Sequence, residues 1–109
     1  MPDFLQVQTT TPDRELALAI AGRLVEARLA ACVHVGGPVT SIYRWQGQTE
    51  RGEEWVCTAK CRAEQFADVE RLIVELHPYE VPEIIAVPIV AGSAGYLAWL
   101  AGETGSAAD

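Results

Sequence analysis

The sequence predicts an α+β domain with elements in the order β-α-β-β-α-β and a short terminal helix. Three observations carry that expectation. Stretches 12–31 and 63–77 repeat apolar residues three and four apart, the spacing of a helix with one buried face. Segments 4–9 and 55–62 repeat them two apart, the spacing of a strand. Each helical stretch is followed by a run rich in Val and Ile that supplies a further strand.

In the first strand, 4–9, Leu5 and Val7 share a face. Thr11 is placed to cap the helix that follows, with Pro12 at its first position and Asp13 and Glu15 near its positive dipole end. Leu16, Ala17, Ile20, Leu24, Ala27 and Ala31 then form one face, and Glu15, Arg23 and Glu26 the other. Residues 32–45 read as a long strand, bent or bulged at Gly36-Gly37-Pro38. Gln46-Gly47-Gln48 is a turn signal, and 55–62 forms the return arm of a hairpin. Trp55, Cys57, Ala59 and Cys61 share one face of that arm, and the polar stretch 49–54 leaves its start undefined. In the second helix Phe66, Val69, Ile73 and Leu76 make the core stripe, and Pro78 ends it. Residues 81–90 are apolar on both faces around Ile84 to Val87, which predicts a central, buried strand. After a turn at 92–95, residues 96–101 form one or two helical turns. This order is the split βαβ, ferredoxin-like arrangement: a four-stranded antiparallel sheet with two helices on one face and a long central hairpin. Residues 1–102 make a single domain, and 103–109 read as a flexible tail.

Composition narrows the function classes. A net charge of −7 over 109 residues opposes phosphate backbones and anionic membrane surfaces, so neither nucleic acid nor membrane is an expected partner. No basic region followed by an apolar run marks a signal peptide, and no apolar stretch reaches the ~18 residues that span a bilayer. Three cysteines at irregular spacing make a poor disulfide framework, and a reducing, cytoplasmic setting is expected.

Cys57 and Cys61 lie four apart on a strand, about 13 Å, too far to grip one ion, and read as small core residues. Cys32 and His34, two apart, point the same way and offer a candidate soft-metal pair. His77 ends a helix, with Glu80 and Glu83 close behind. An imidazole with two carboxylates can hold a divalent cation, and it can also serve as a general acid and base in a small enzyme. No Gly-x-Ser-x-Gly, phosphate loop or dinucleotide loop accompanies it, so a binding protein is favoured over an enzyme.

Four stretches carry a resemblance to a known family. They are Ala30-Ala31-Cys32-Val33, then Val39-Thr40-Ser41-Ile42-Tyr43-Arg44-Trp45-Gln46-Gly47, then His77-Pro78-Tyr79-Glu80-Val81-Pro82-Glu83-Ile84, and Tyr96-Leu97-Ala98-Trp99-Leu100. In order and spacing the chain resembles the CutA divalent-cation-tolerance family, from about residue 4 to residue 101. The resemblance implies a ferredoxin-like fold, a homotrimer of PII-like architecture, and a link to tolerance of copper or another divalent cation, held weakly. Some members are described as binding copper through a first-strand cysteine and a histidine pair. That pair reads Leu76-His77 here, so His77 is the matched imidazole.

Overall fold

The structure is a computed structural model and describes residues 3–105. Strand β1 (Phe4–Thr11) leads through helix α1 (Arg14–Glu26) to β2 (Cys32–Trp45) and β3 (Gln48–Arg62). A 3-10 turn (Ala63–Gln65) opens α2 (Phe66–Leu76), and β4 (Ile84–Pro88) and α3 (Ala94–Glu103) complete the chain. The sheet has the order β2-β3-β1-β4, antiparallel at every pairing, which is the predicted ferredoxin-like topology. Among the described residues no helix is long and apolar enough to cross a membrane.

The core lies between the sheet and α1 and α2. Val7, Ala59 and Cys61 meet Ile20 and Leu24 of α1 and Val69 and Ile73 of α2 in one buried cluster. These are the positions that the two periodicities select. Ala27 and Ala31 are not among them: α1 ends at Glu26, Ala27 is its exposed cap, and Ala31 has left the helix. The start also differs. β1 continues through Thr11, and Asp13 is the true N-cap, its carboxylate accepting the Leu16 N–H at 2.8 Å. Thr11 is buried and donates its hydroxyl to the Asp13 carbonyl. A carboxylate next to the helix dipole outcompetes a hydroxyl two residues earlier.

Cys57 and Cys61 point into the core, and all three cysteines are free thiols. Burial pushes both core thiols up from the ordinary 9.0 to about 11. The unfolded chain therefore loses these protons first as pH rises. Their contribution to stability is complete below about pH 9 and is lost as pH climbs through about 11. Thermal melts between pH 7 and pH 11 should show this alkaline fall, and it should flatten in a Cys57→Ala/Cys61→Ala variant. An equal slope in both proteins would remove the thiols as its cause.

β4 is not central. It pairs with β1 alone and forms one edge of the sheet. Ile84 faces the core, but Ile85 and Val87 are 52% and 51% exposed on the opposite face. Two apolar faces do signal two-sided burial, yet a single chain covers only the helix side here. α3 is longer than expected, at 10 residues. Its end is tied down: Thr104 is buried, the Gly105 N–H donates to the Arg28 carbonyl, and Arg28 Nε donates to the Gly105 carbonyl at 2.8 Å. Residues 103–105 therefore pack on the body, and 106–109 of the expected tail lie outside the described residues.

The hairpin gives the molecule its 47 × 25 × 22 Å shape. Gln46 and Gly47 both have positive φ, 51° and 79°, the two-residue turn that matches strand twist. The register shifts between Gly36 and Val39, as the Gly-Gly-Pro stretch predicts. The polar stretch 49–54 is strand, so β3 runs 15 residues. β1 pairs with β3 only from Trp55 onward. Residues 39–54 therefore form a two-stranded ribbon with no third strand beside it. Trp55 itself turns inward and is half-buried against Gly37, where a Cβ would come within 2.9 Å of its ring.

Candidate functional site

Where the ribbon leaves the body, it meets the loop between α2 and β4. Together they wall a cleft of about 630 Å³ lined by Thr10, Ser41, Ile42, Tyr43, Trp45, Glu54 and residues 79–83. Parity explains the ribbon's share of the lining except for Ile42, which belongs to the other face. Ser41, Tyr43 and Trp45 stand opposite Gly52, Glu50 and Gln48 and share one face of the ribbon with Glu54. Thr10 belongs to the matching face of β1, opposite Val56. Three aromatic side chains and three carboxylates therefore converge on one space. Among the described residues, no Lys, Arg or His lines it.

The loop is held by His77. Its ring is buried, with Nε2 2.7 Å from the Thr10 carbonyl and Nδ1 accepting the Tyr79 N–H at 3.2 Å. The first contact requires a proton on Nε2 and the second a lone pair on Nδ1, so the ring is the neutral Nε2–H tautomer. Both nitrogens are spent on the backbone. His77 is thus a pillar joining β1 to the loop, with neither ring nitrogen turned into the cleft as the expected cation or acid–base role requires. The reason is local: Pro78 ends the helix, and the loop's first N–H needs an acceptor that the helix no longer offers.

Tyr79 stacks at a tilt on the His77 ring, with centroids 4.6 Å apart, and donates its hydroxyl to the Glu54 carboxylate at 3.0 Å. Burial, then the hydrogen bond and charge of Glu54, push the Tyr79 phenol up to about 12. This bond ties loop to ribbon. Glu83 accepts from the Gln8 amide at 2.8 Å, and Glu80 is exposed at the cleft. Two of the three residues expected to bind a cation thus line one cleft and the third supports it from behind. Among the described residues no three His, Cys, Asp or Glu side chains of one chain are grouped to hold a metal ion. Glu54 and Tyr79 are cleft residues that sequence reasoning missed. Glu54 lies in the stretch whose strand start was undefined, and no spacing rule links position 54 to position 79.

Cys32 and His34 stand elsewhere, at the other end of β2. Their side chains do share a face, with the sulfur 3.8 Å from Nε2. Among the described residues no third metal ligand is grouped with them; the other imidazole nitrogen meets Lys60 Nζ instead.

Fold and cleft together define a small ferredoxin-like protein with an acidic, aromatic-walled cleft. The profile of the family described as CutA1 divalent ion tolerance protein matches residues 5–103. The chain belongs to that family. It is 46% identical over 99 residues to the divalent-cation tolerance protein CutA of Thermus thermophilus, covering 91% of this chain and 96% of the relative. It is 38% identical to human protein CutA over 92% of this chain, and spans 56% of that longer protein. The crystal structure of CutA1 from Shewanella sp. SIB1 superposes with a TM-score of 0.93 at 43% identity, covering 96% of this chain and 98% of the other.

Proposed function

We propose that this chain acts as a homotrimer that binds a divalent cation, copper among them, or a small ligand at clefts completed between subunits, and that it does so as a binding protein in the cytoplasm rather than as an enzyme. One observation carries the reading: the ribbon that walls the acidic cleft also projects large apolar side chains past the body of the fold. Ile42 is 68% exposed and Tyr43 49%. A single chain leaves such groups in water, whereas neighbouring copies can bury them and close the cleft. Family membership supports the link to divalent cations, since the profile is described by that property. Within one chain the carboxylates of Glu54, Glu80 and Glu83 supply negative charge but no complete cage. A cation held here draws ligands from more than one subunit and is held weakly, because oxygen donors suit copper less well than thiolate or imidazole. The acid–base alternative is disfavoured by His77, whose ring has no free nitrogen to exchange a proton with a substrate.

Calorimetry with copper(II) on the full-length protein tests the cation site. The wild type should release heat at neutral pH, and Glu80→Gln/Glu83→Gln should weaken binding. Unchanged binding in that variant would remove the cleft carboxylates from the site. Binding that is lost only in Cys32→Ser or His34→Gln would move it to the start of β2.

A further inference from the structure

The cleft between the ribbon and the α2–β4 loop gathers charge of one sign without forming a metal cage. Glu54, Glu80 and Glu83 line it, and among the described residues no lysine, arginine or histidine does. Nor, among those residues, are three acidic, histidine or cysteine side chains grouped to share one ion. Two of the carboxylates are already held by neutral donors. Glu54 accepts the Tyr79 hydroxyl at 3.0 Å, and Glu83 accepts the Gln8 amide at 2.8 Å. A neutral donor leaves the carboxylate its full charge but takes up part of its accepting capacity. The cleft is thus rich in negative charge and poor in convergent free oxygens.

The rest of the lining is aromatic or apolar. Tyr43, Trp45 and Tyr79 bring rings to it, and Ile42, Val81 and Pro82 bring apolar bodies. Tyr79 is fixed at both ends: its ring packs on His77 with centroids 4.6 Å apart, and its hydroxyl is tied to Glu54. The space, about 630 Å³, is that of a small-molecule site and far exceeds a bare ion. A hard metal ion needs several oxygens directed at one point, about 2–2.6 Å from it. A weakly hydrated organic cation needs only aromatic surface and negative charge nearby.

We propose that the ligand of this cleft is an alkylated ammonium ion, its alkyl groups packed against Tyr43, Trp45 and Tyr79 and its charge answered by Glu80 and Glu54. The inference rests on the cleft being a ligand site, as proposed above, and names the class of ligand it takes.

The test titrates the full-length protein with tetramethylammonium chloride and follows the shift and broadening of the methyl proton resonance. tert-Butyl alcohol, similar in size and uncharged, is titrated in parallel, and potassium chloride matches the salt. Tetramethylammonium should bind saturably and the alcohol about tenfold more weakly. Glu80→Gln should weaken binding about threefold, and Tyr79→Leu about two- to fivefold, the worth of one aromatic face at an exposed site. Tyr79→Phe keeps the ring and should stay within about twofold of wild type. Should Tyr79→Leu disturb the loop, Glu80→Gln decides, since that side chain is exposed. Equal binding of the alcohol, or unchanged affinity in Glu80→Gln, would overturn the proposal. A separate copper titration keeps the two readings apart. Copper binding through the cleft carboxylates without saturable tetramethylammonium binding would sink the organic cation and leave the cleft a cation site; binding of neither would sink both.

Discussion

Trp45→Asp should sediment as a single chain of 11.8 kDa, and the wild type at micromolar concentration should sediment at three times that mass. The reasoning starts from the unsupported ribbon. Residues 39–54 pair only with each other, and a two-stranded hairpin is marginal in water by itself. Its outer end carries Ile42, Tyr43 and Trp45, the last still 42% exposed. At the opposite edge β4 offers unpaired backbone and the exposed side chains Ile85 and Val87. On the proposed trimer, an open edge and an apolar ribbon on one molecule would be the two halves of a contact between copies. Each large side chain buried there contributes about 1.5–3 kcal/mol, and an aspartate in place of Trp45 would bury an unpaired charge. Because burial and association are one event, the variant should also melt earlier. A folded Trp45→Asp trimer would take Trp45 out of the interface, and a wild-type mass of one chain would refute assembly altogether.

His77→Ala should destabilise the protein by about 2–4 kcal/mol while leaving copper affinity within a few-fold of wild type wherever the fold persists. The variant strands two backbone groups at once, the Thr10 carbonyl and the Tyr79 N–H. It also removes the ring against which Tyr79 packs, so the Tyr79–Glu54 bond across the cleft should loosen. In a domain of this size about 1 kcal/mol corresponds to roughly 4–8 °C, so thermal melting resolves the effect easily. His77→Asn keeps a side-chain amide and should recover little, because one short amide cannot reach both partners. A normal melting temperature with copper binding abolished would make His77 a ligand after all, against its hydrogen bonding.

Much of this fold is legible along the chain because the signals are local. Alternation placed Val7, Ala59 and Cys61 on the core face, helical spacing selected Ile20, Leu24, Val69 and Ile73, and Gln46-Gly47 marked the turn. The order of elements then leaves few ways to connect them. Local signals misled where two were in competition. Thr11 and Asp13 both suit an N-cap, and the choice fell to the residue whose carboxylate reaches the Leu16 N–H once β1 has used Thr11. The apolar run in β4 was legible as a sequence, but its place was not: strand order depends on long-range pairing, which put it at an edge.

The candidate sites divide in the same way. Glu80, Glu83, Cys32 and His34 could be singled out by residue type and spacing alone, because neighbours in sequence share a loop or a strand face. What His77 does could not, since an imidazole on the residue before Pro78 reads equally as ligand, base or cap until its partners 67 and 2 residues away are seen. Glu54 facing Tyr79, and Lys60 behind His34, are contacts across 25 and 26 residues. By itself the sequence determined the elements, their faces and the family; tertiary structure alone decided which polar groups meet, because those meetings depend on register between strands and on where a loop is pinned, and neither is encoded in any local period.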